Sequence, residues 1–283
     1  MSNDKLNDLS RKVFPLTLKS TTTINRPNPP VVTPLGNGVL LDINATFFML
    51  SAGHLMNIDD FPHLVIPAKN NKMTNCNGKL VTTYKSYSDR NKIDLAVFRF
   101  SERQNKHIDG YYRLIKPEDI AIEHKTVETS SYIISGYPLN SIKKTTGQPI
   151  YEAEPLQVLT ATVRNRTYKK FGFNPSTHIL VKLHGRVKPF LSQHKVRLKK
   201  PTGISGSGLW YIPDWRKVDN DGVPEHLLVG ILTDNFVDQG FVAAVRIDFA
   251  TEIIRQDFAI ASKQSKLTNF AEHIKKVYVV EIP

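Results

Sequence analysis

The chain has 283 residues, is 40% apolar and 23% charged, and carries a formal net charge of +12 at neutral pH. That length buries a core without staples, and the composition excludes a disordered chain or a disulfide-built miniature. A single cysteine, Cys76, sits in the polar run TNCNGK, cannot form an internal bridge and has no partner at metal-ligand spacing.

The charge draws acidic partners and polyanions from a distance and says nothing about fold. Positive residues gather in RNRTYKK (164–170) and over 186–200. No recognition helix, zinc-finger spacing or aromatic RNA-binding signature accompanies them, so nucleic acid is not an expected partner. The first twenty residues hold no signal-peptide core and no later run approaches about 18 apolar residues. The expected home is the cytoplasm, with no membrane partner.

In chain order, NDKLNDLSRKVF (3–14) reads as a short amphipathic helix. Alternating or β-branched runs then predict strands at GVLLDI (38–43), ATFFMLSA (45–52), KLVTTYKSY (79–87) and DLAVFRF (94–100). A polar, weakly patterned stretch over 103–129 reads as a crossing between two β units. Strands resume at SSYIISGY (130–137), LQVLTATV (156–163), HILVKLHG (178–185), SGLWYI (207–212), HLLVGILTD (226–234) and GFVAAVRID (240–248).

A helix follows in DFATEIIRQDFAIAS (248–262), with Asp248 as its cap, Glu252 near its positive end, and Ala250, Ile253, Ile254 and Phe258 on one face. KKVYVVEIP (275–283) adds a strand or docks on the body. The fold class is all-β and antiparallel. Its divisions are an N-terminal extension (1–20), a first β unit (21–115), a second with the helix (116–260), and a tail (261–283).

Acyl transfer by a hydroxyl requires a nucleophile, a base within hydrogen-bond reach, an acid that fixes the base's tautomer, and N–H groups aimed at the oxyanion. Three segments contain such residues. ATFFMLSAGHLM (45–56) ends an apolar strand in Ala52 and Gly53, small enough for a tight turn that projects His54. NKIDLAVFRF (91–100) sets Asp94 at the mouth of an apolar strand, where a carboxylate needs either a backbone cap or a histidine. PTGISGSGLW (201–210) places Ser205 and Ser207 among glycines. Such a loop is either a plain turn or one that converges the N–H groups of Gly203 and Ser205 on one point.

In the order His54, Asp94, Ser205, the segments SAGH, DLAV and GISGS resemble the chymotrypsin-like serine peptidases. GNGVLL (36–41), SGYP (135–138) and LLVGILTDN (227–235) resemble that family's flanking strands, and the likeness spans about residues 30–260. An α/β-hydrolase would place its acid and histidine after the serine on a parallel sheet, against both the chain order and the β-rich pattern. The resemblance implies two antiparallel six-stranded barrels with a C-terminal helix. His54 and Asp94 fall in the first and Ser205 in the second.

The implied activity is a serine endopeptidase working without cofactor or metal on a protein or peptide, with an effector role in bacterial defence or regulated proteolysis among its contexts. Ser205 is then the nucleophile, His54 the base and acid, Asp94 its orienting carboxylate, and Gly203 and Ser205 the oxyanion donors. Ser205 is preferred over Ser207 because a glycine stands two places before it to supply the second donor. Ile204 occupies the place where secreted members carry an aspartate that pairs with a freed N-terminus. The serine loop is therefore expected to be held by packing or switched by a regulatory partner. The family's specificity pocket maps to Lys199, favouring an acidic substrate residue, and to Leu232, Thr233, Asp234, Asn235 and Gly240. The competing reading is a catalytically silent module that binds protein or nucleic acid through its cleft or basic surface.

Overall fold

The computed structural model describes residues 3–28, 31–56, 58, 61–84, 93–127, 130–144, 151–183, 186–187, 196–197, 202–215, 222–267, 269–274 and 276–282. The first part of the chain forms α1 (Asn3–Lys19), β1 (Thr21–Asn28), β2 (Val31–Ile43), β3 (Thr46–Ser51), β4 (Val65–Ala68), β5 (Lys72–Asn75), β6 (Gly78–Thr82), β7 (Ala96–Phe100) and α2 (Glu102–Ile108). The second part forms β8 (Ser131–Gly136), β9 (Ile142–Lys144), β10 (Tyr151–Ala153), β11 (Leu156–Ala161), α3 (Asn165–Phe171), β12 (His178–Lys182), β13 (Arg186–Val187) and β14 (Val196–Arg197). It continues with β15 (Gly208–Ile212), β16 (Leu227–Phe236), β17 (Phe241–Arg246) and α4 (Ile247–Asp257), and the chain closes with α5 (Phe270–His273) and β18 (Tyr278–Ile282).

Two curled antiparallel sheets dominate. One has eight strands in the order β18-β6-β7-β3-β2-β1-β4-β5, the other six in the order β11-β8-β15-β16-β17-β12. Both faces of the central strands are buried, so their alternation sorts apolar residues between two cores rather than between core and water. Leu40, Met49, Phe98 and Leu80 fill the hollow of the first sheet. Their neighbours Val39, Leu41, Phe48, Leu50, Val97 and Val81 face a core shared with the second sheet. Likewise Tyr132, Leu209 and Val229 fill the second hollow, and Ile133, Trp210 and Leu228 face the shared core.

Helices seal that shared core. Leu9, Val13 and Phe14 of α1 and Ala250, Ile253 and Ile254 of α4 enter it, and Phe258 meets Phe48 edge-on with ring centroids 5.3 Å apart. The sequence expectation for the apolar face of α4 therefore holds, while its cap does not. Arg246 occupies the cap position, and Asp248 lies within the first turn, fully buried. The Asp248 carboxylate accepts instead from the Glu123 N–H (2.8 Å) and the Ser265 hydroxyl (2.5 Å), tying the crossing segment and the later chain to the helix.

The first sheet has two strands more than the six expected, because β1, β4 and β5 extend one edge and β18 pairs with β6 at the other. The described part of the crossing, 103–127, is irregular apart from α2 and a single turn at Pro117–Asp119. No helix among the described residues is long and apolar enough to cross a membrane. Cys76 lies in the connection between β5 and β6 with its side chain buried, and burial pushes its thiol up to about 12, so it stays protonated and inert.

His124 lies in the crossing, buried, with Nε2 2.7 Å from the Tyr132 hydroxyl and its carbonyl accepting from Arg246 Nη1 at 2.7 Å. Burial, and secondarily the Arg246 charge, push its pKa from 6.5 down to about 4. Between those values the unfolded chain takes a proton that the folded one refuses, so stability is full above pH 6.5 and falls as the pH drops toward 4. The loss from this residue is about 3 kcal/mol. His226, lowered by burial and beside Arg113, acts in the same direction. Urea midpoints at pH 7.5 and 4.5 for wild type and His124→Gln test this: the acid loss should shrink in the variant, and an equal loss in both would refute it.

Candidate active site

Asp94 lies just before β7 in a stretch held on both sides by one buried side chain. The Thr83 hydroxyl donates to the Ile93 carbonyl (2.5 Å) and accepts from the Leu95 N–H (3.0 Å), while the Thr83 N–H donates to the Leu95 carbonyl (2.9 Å). The carboxylate so fixed commits both oxygens to one residue. Oδ1 accepts from the His54 main-chain N–H at 2.9 Å, and Oδ2 lies 2.5 Å from His54 Nδ1. A proton held on Nδ1 by a carboxylate leaves the lone pair on Nε2, the form required of a base. The His54 side chain keeps 29% of its surface exposed, enough to meet a ligand.

His54 sits in the single turn Gly53–Leu55 after β3. Gly53 is small for a reason of space: a Cβ there would lie 2.8 Å from Asp94 Oδ1, 2.8 Å from Tyr84 Cβ and 3.0 Å from Thr82 Oγ1. Gly53→Ala is therefore expected to displace the carboxylate and lower turnover tenfold to a hundredfold, with a stability cost of about 1–2 kcal/mol. Steady-state kinetics beside a melting curve check it, and unchanged turnover would count against the Asp94 assignment.

The serine loop runs into β15 with Gly203 at φ 79° and Gly206 at φ 83°. Glycine is obligatory at 206 on space as well, since a Cβ would fall 1.8 Å from the Asn37 carbonyl oxygen. The Gly206 N–H donates to the Leu232 carbonyl at 2.7 Å and the Leu232 N–H to the Ser207 carbonyl at 2.8 Å, which fastens the loop to β16. Ile204 is buried in the second hollow, so packing holds this part of the loop. Among the described residues, the N–H groups of Gly203 and Ser205 have no acceptor. The Ser205 hydroxyl donates to the Thr233 carbonyl at 3.3 Å.

Thr233 lines a cavity of about 550 Å³ together with His54 and Asp94, whereas Ser205 is not among the lining residues and is tied to them through the Thr233 carbonyl. Asp234 and Asn235 line the same cavity. Leu232 contributes backbone bonds and a buried side chain rather than a wall, and Gly240 forms the left-handed turn between β16 and β17. Lys199 lies outside the described residues.

No protein-family model matches the chain, and no curated protein does.

Sequence reasoning missed the opposite wall of the cavity, Phe171, Phe173 and Phe236 with Asn174, Thr177 and His178. Phe236 stacks on the buried Phe241 with centroids 4.9 Å apart, and Phe171 packs edge-on against the same ring, so the wall is rigid. A readable signal was present in YKKFGF (168–173), where aromatic residues flank Gly172, the left-handed end of α3. The reading also missed Thr83 and Asn37, the buried polar residues that hold the acid and the serine loop.

Proposed function

We propose that this chain is a serine hydrolase acting on peptide bonds, of chymotrypsin-like architecture. One observation carries the reading: Asp94 gives both carboxylate oxygens to His54 at the edge of a cavity that also reaches Thr233, the hydrogen-bond partner of Ser205. Further support comes from the division of the site, with His54 and Asp94 beside strands of the eight-stranded sheet and Ser205 beside the six-stranded one.

The chemistry runs in two halves. The long 3.3 Å bond from Ser205 to Thr233 is weak and readily exchanged for the imidazole. His54 Nε2 takes the hydroxyl proton as Ser205 Oγ bonds to the substrate carbonyl carbon, and the carbonyl π pair moves onto its oxygen. The N–H groups of Gly203 and Ser205 receive that oxyanion, each worth about 3–4 kcal/mol in such sites. When the tetrahedral species collapses, the C–N bond breaks and His54 returns the proton to the leaving amine. Water, deprotonated by the same nitrogen, then releases the acid and restores Ser205. Throughout, Asp94 keeps the imidazole in one tautomer and stabilises its protonated form.

The direct test is labelling with a fluorophosphonate probe. Wild type should label, the tagged peptide should contain Ser205, and Ser205→Ala should not label. An unlabelled wild type that binds peptide or nucleic acid would favour the silent binding module.

A further inference from the structure

Resting on the serine-hydrolase reading, we infer that Asn37 is a positioning residue: its buried amide pins the peptide between the two oxyanion donors and keeps the oxyanion site formed. The pairing of β2 with β3 runs from Ile43↔Thr46 only to Val39↔Leu50, so β2 outruns its neighbour. Beyond that end, the Asn37 N–H donates to the Ser205 carbonyl at 2.9 Å, and the serine loop takes the place of the missing strand.

The Asn37 side chain is fully buried and every polar atom is used. Oδ1 accepts from the Tyr137 N–H at 2.8 Å, and Nδ2 donates to the carbonyls of Tyr137 (3.1 Å) and Gly203 (2.7 Å). Only an amide of this size offers one acceptor beside two donors: aspartate offers no donor and serine only one.

The bond to Gly203 matters because N–H and C=O of a trans peptide point in opposite directions. The Thr202 carbonyl is held by the Leu139 N–H at 2.8 Å, which turns the Gly203 N–H away from it. The Ile204 carbonyl is held by the Ser207 N–H at 3.1 Å and does the same for the Ser205 N–H. Between these two lies the Gly203–Ile204 peptide, beside a glycine at φ 79° that has little steric barrier to rotation. Among the described residues its carbonyl is held by Asn37 alone. Without that bond the torsions on either side of the Gly203–Ile204 peptide are free to turn, and the spacing and angle between the two flanking N–H groups are no longer fixed. The Asn37 carbonyl in turn accepts from Ser51, the last residue of β3, joining the pin to the strand that carries His54.

The test compares inactivation of wild type, Asn37→Asp and Asn37→Ser by a rhodamine-tagged fluorophosphonate, resolved into kinact and KI, beside thermal unfolding. In this reaction Ser205 Oγ bonds to phosphorus, fluoride leaves, His54 takes the proton, and the phosphoryl oxygen occupies the oxyanion site. The expected result is a kinact about 100-fold lower in folded variants, comparable to the loss of one oxyanion donor. KI should stay within about twofold, and the pH profile of kinact should not move, because Asn37 does not touch the His54–Asp94 pair. A folded variant within about threefold of the wild-type kinact would overturn the inference. So would a shifted pH profile, or failure of both variants to fold, which would make Asn37 a folding residue only. Absence of labelling in the wild type would instead bring down the serine-hydrolase reading itself.

Discussion

Alanine in place of Ser205 is expected to lower hydrolysis of a fluorogenic peptide or p-nitrophenyl ester by about six orders of magnitude while leaving the fold intact. The hydroxyl makes one long bond, 3.3 Å to the Thr233 carbonyl, so its removal costs at most about 1 kcal/mol of stability. Residual acceleration of roughly 10³–10⁴ over water should persist, because binding and the oxyanion donors remain. Ser207 provides the control. Among the described residues its buried hydroxyl has no hydrogen-bond partner, so Ser207→Ala should leave turnover within a few-fold. If the Ser207 variant is the dead one, the nucleophile has been misassigned.

Asp94→Asn is expected to lower turnover by about 10⁴ with little change in melting temperature. An asparagine carbonyl can still accept from the His54 main-chain N–H, as Asp94 Oδ1 does at 2.9 Å. Its NH₂ then faces Nδ1, which must accept, and the imidazole proton moves to Nε2, where a lone pair is needed. The variant thus keeps the geometry and holds the wrong tautomer. Turnover within tenfold of wild type would show that Asp94 serves the loop rather than the base.

Much of this molecule was legible because its central strands are short apolar or β-branched runs: every run from GVLLDI to GFVAAVRID contains a strand. The strands that escaped have physical reasons to. β1 opens on three threonines and buries them with hydrogen bonds, among them Thr21 to the Thr17 carbonyl and Thr22 to the Tyr112 hydroxyl, so no apolar signal marks it. β4 contains Pro67 and β5 is a mostly exposed edge. Of the candidate site, the structure brings His54 and Asp94 together, and these could be read because each stands at the end of an apolar strand. Asn37 and Thr83 could not, because their work is fixing backbone, and any short polar residue beside a glycine or a strand end looks alike in sequence. The aromatic wall was invisible for a third reason: Phe171 and Phe236 meet only after the second sheet has formed.

The two ends of the chain are exchanged between the halves. Helix α1, the first element, lies against β8 and β11 of the second sheet, with the Gln157 amide donating to the Phe14 carbonyl at 2.7 Å, whereas β18, the last element, completes the edge of the first sheet beside β6. The first sheet therefore keeps an open edge along β6 unless residues 278–282 pair with it, and the second shares its core with a helix more than a hundred residues away in sequence. Neither half buries its apolar surface from its own stretch of sequence, which couples the folding of the two sheets.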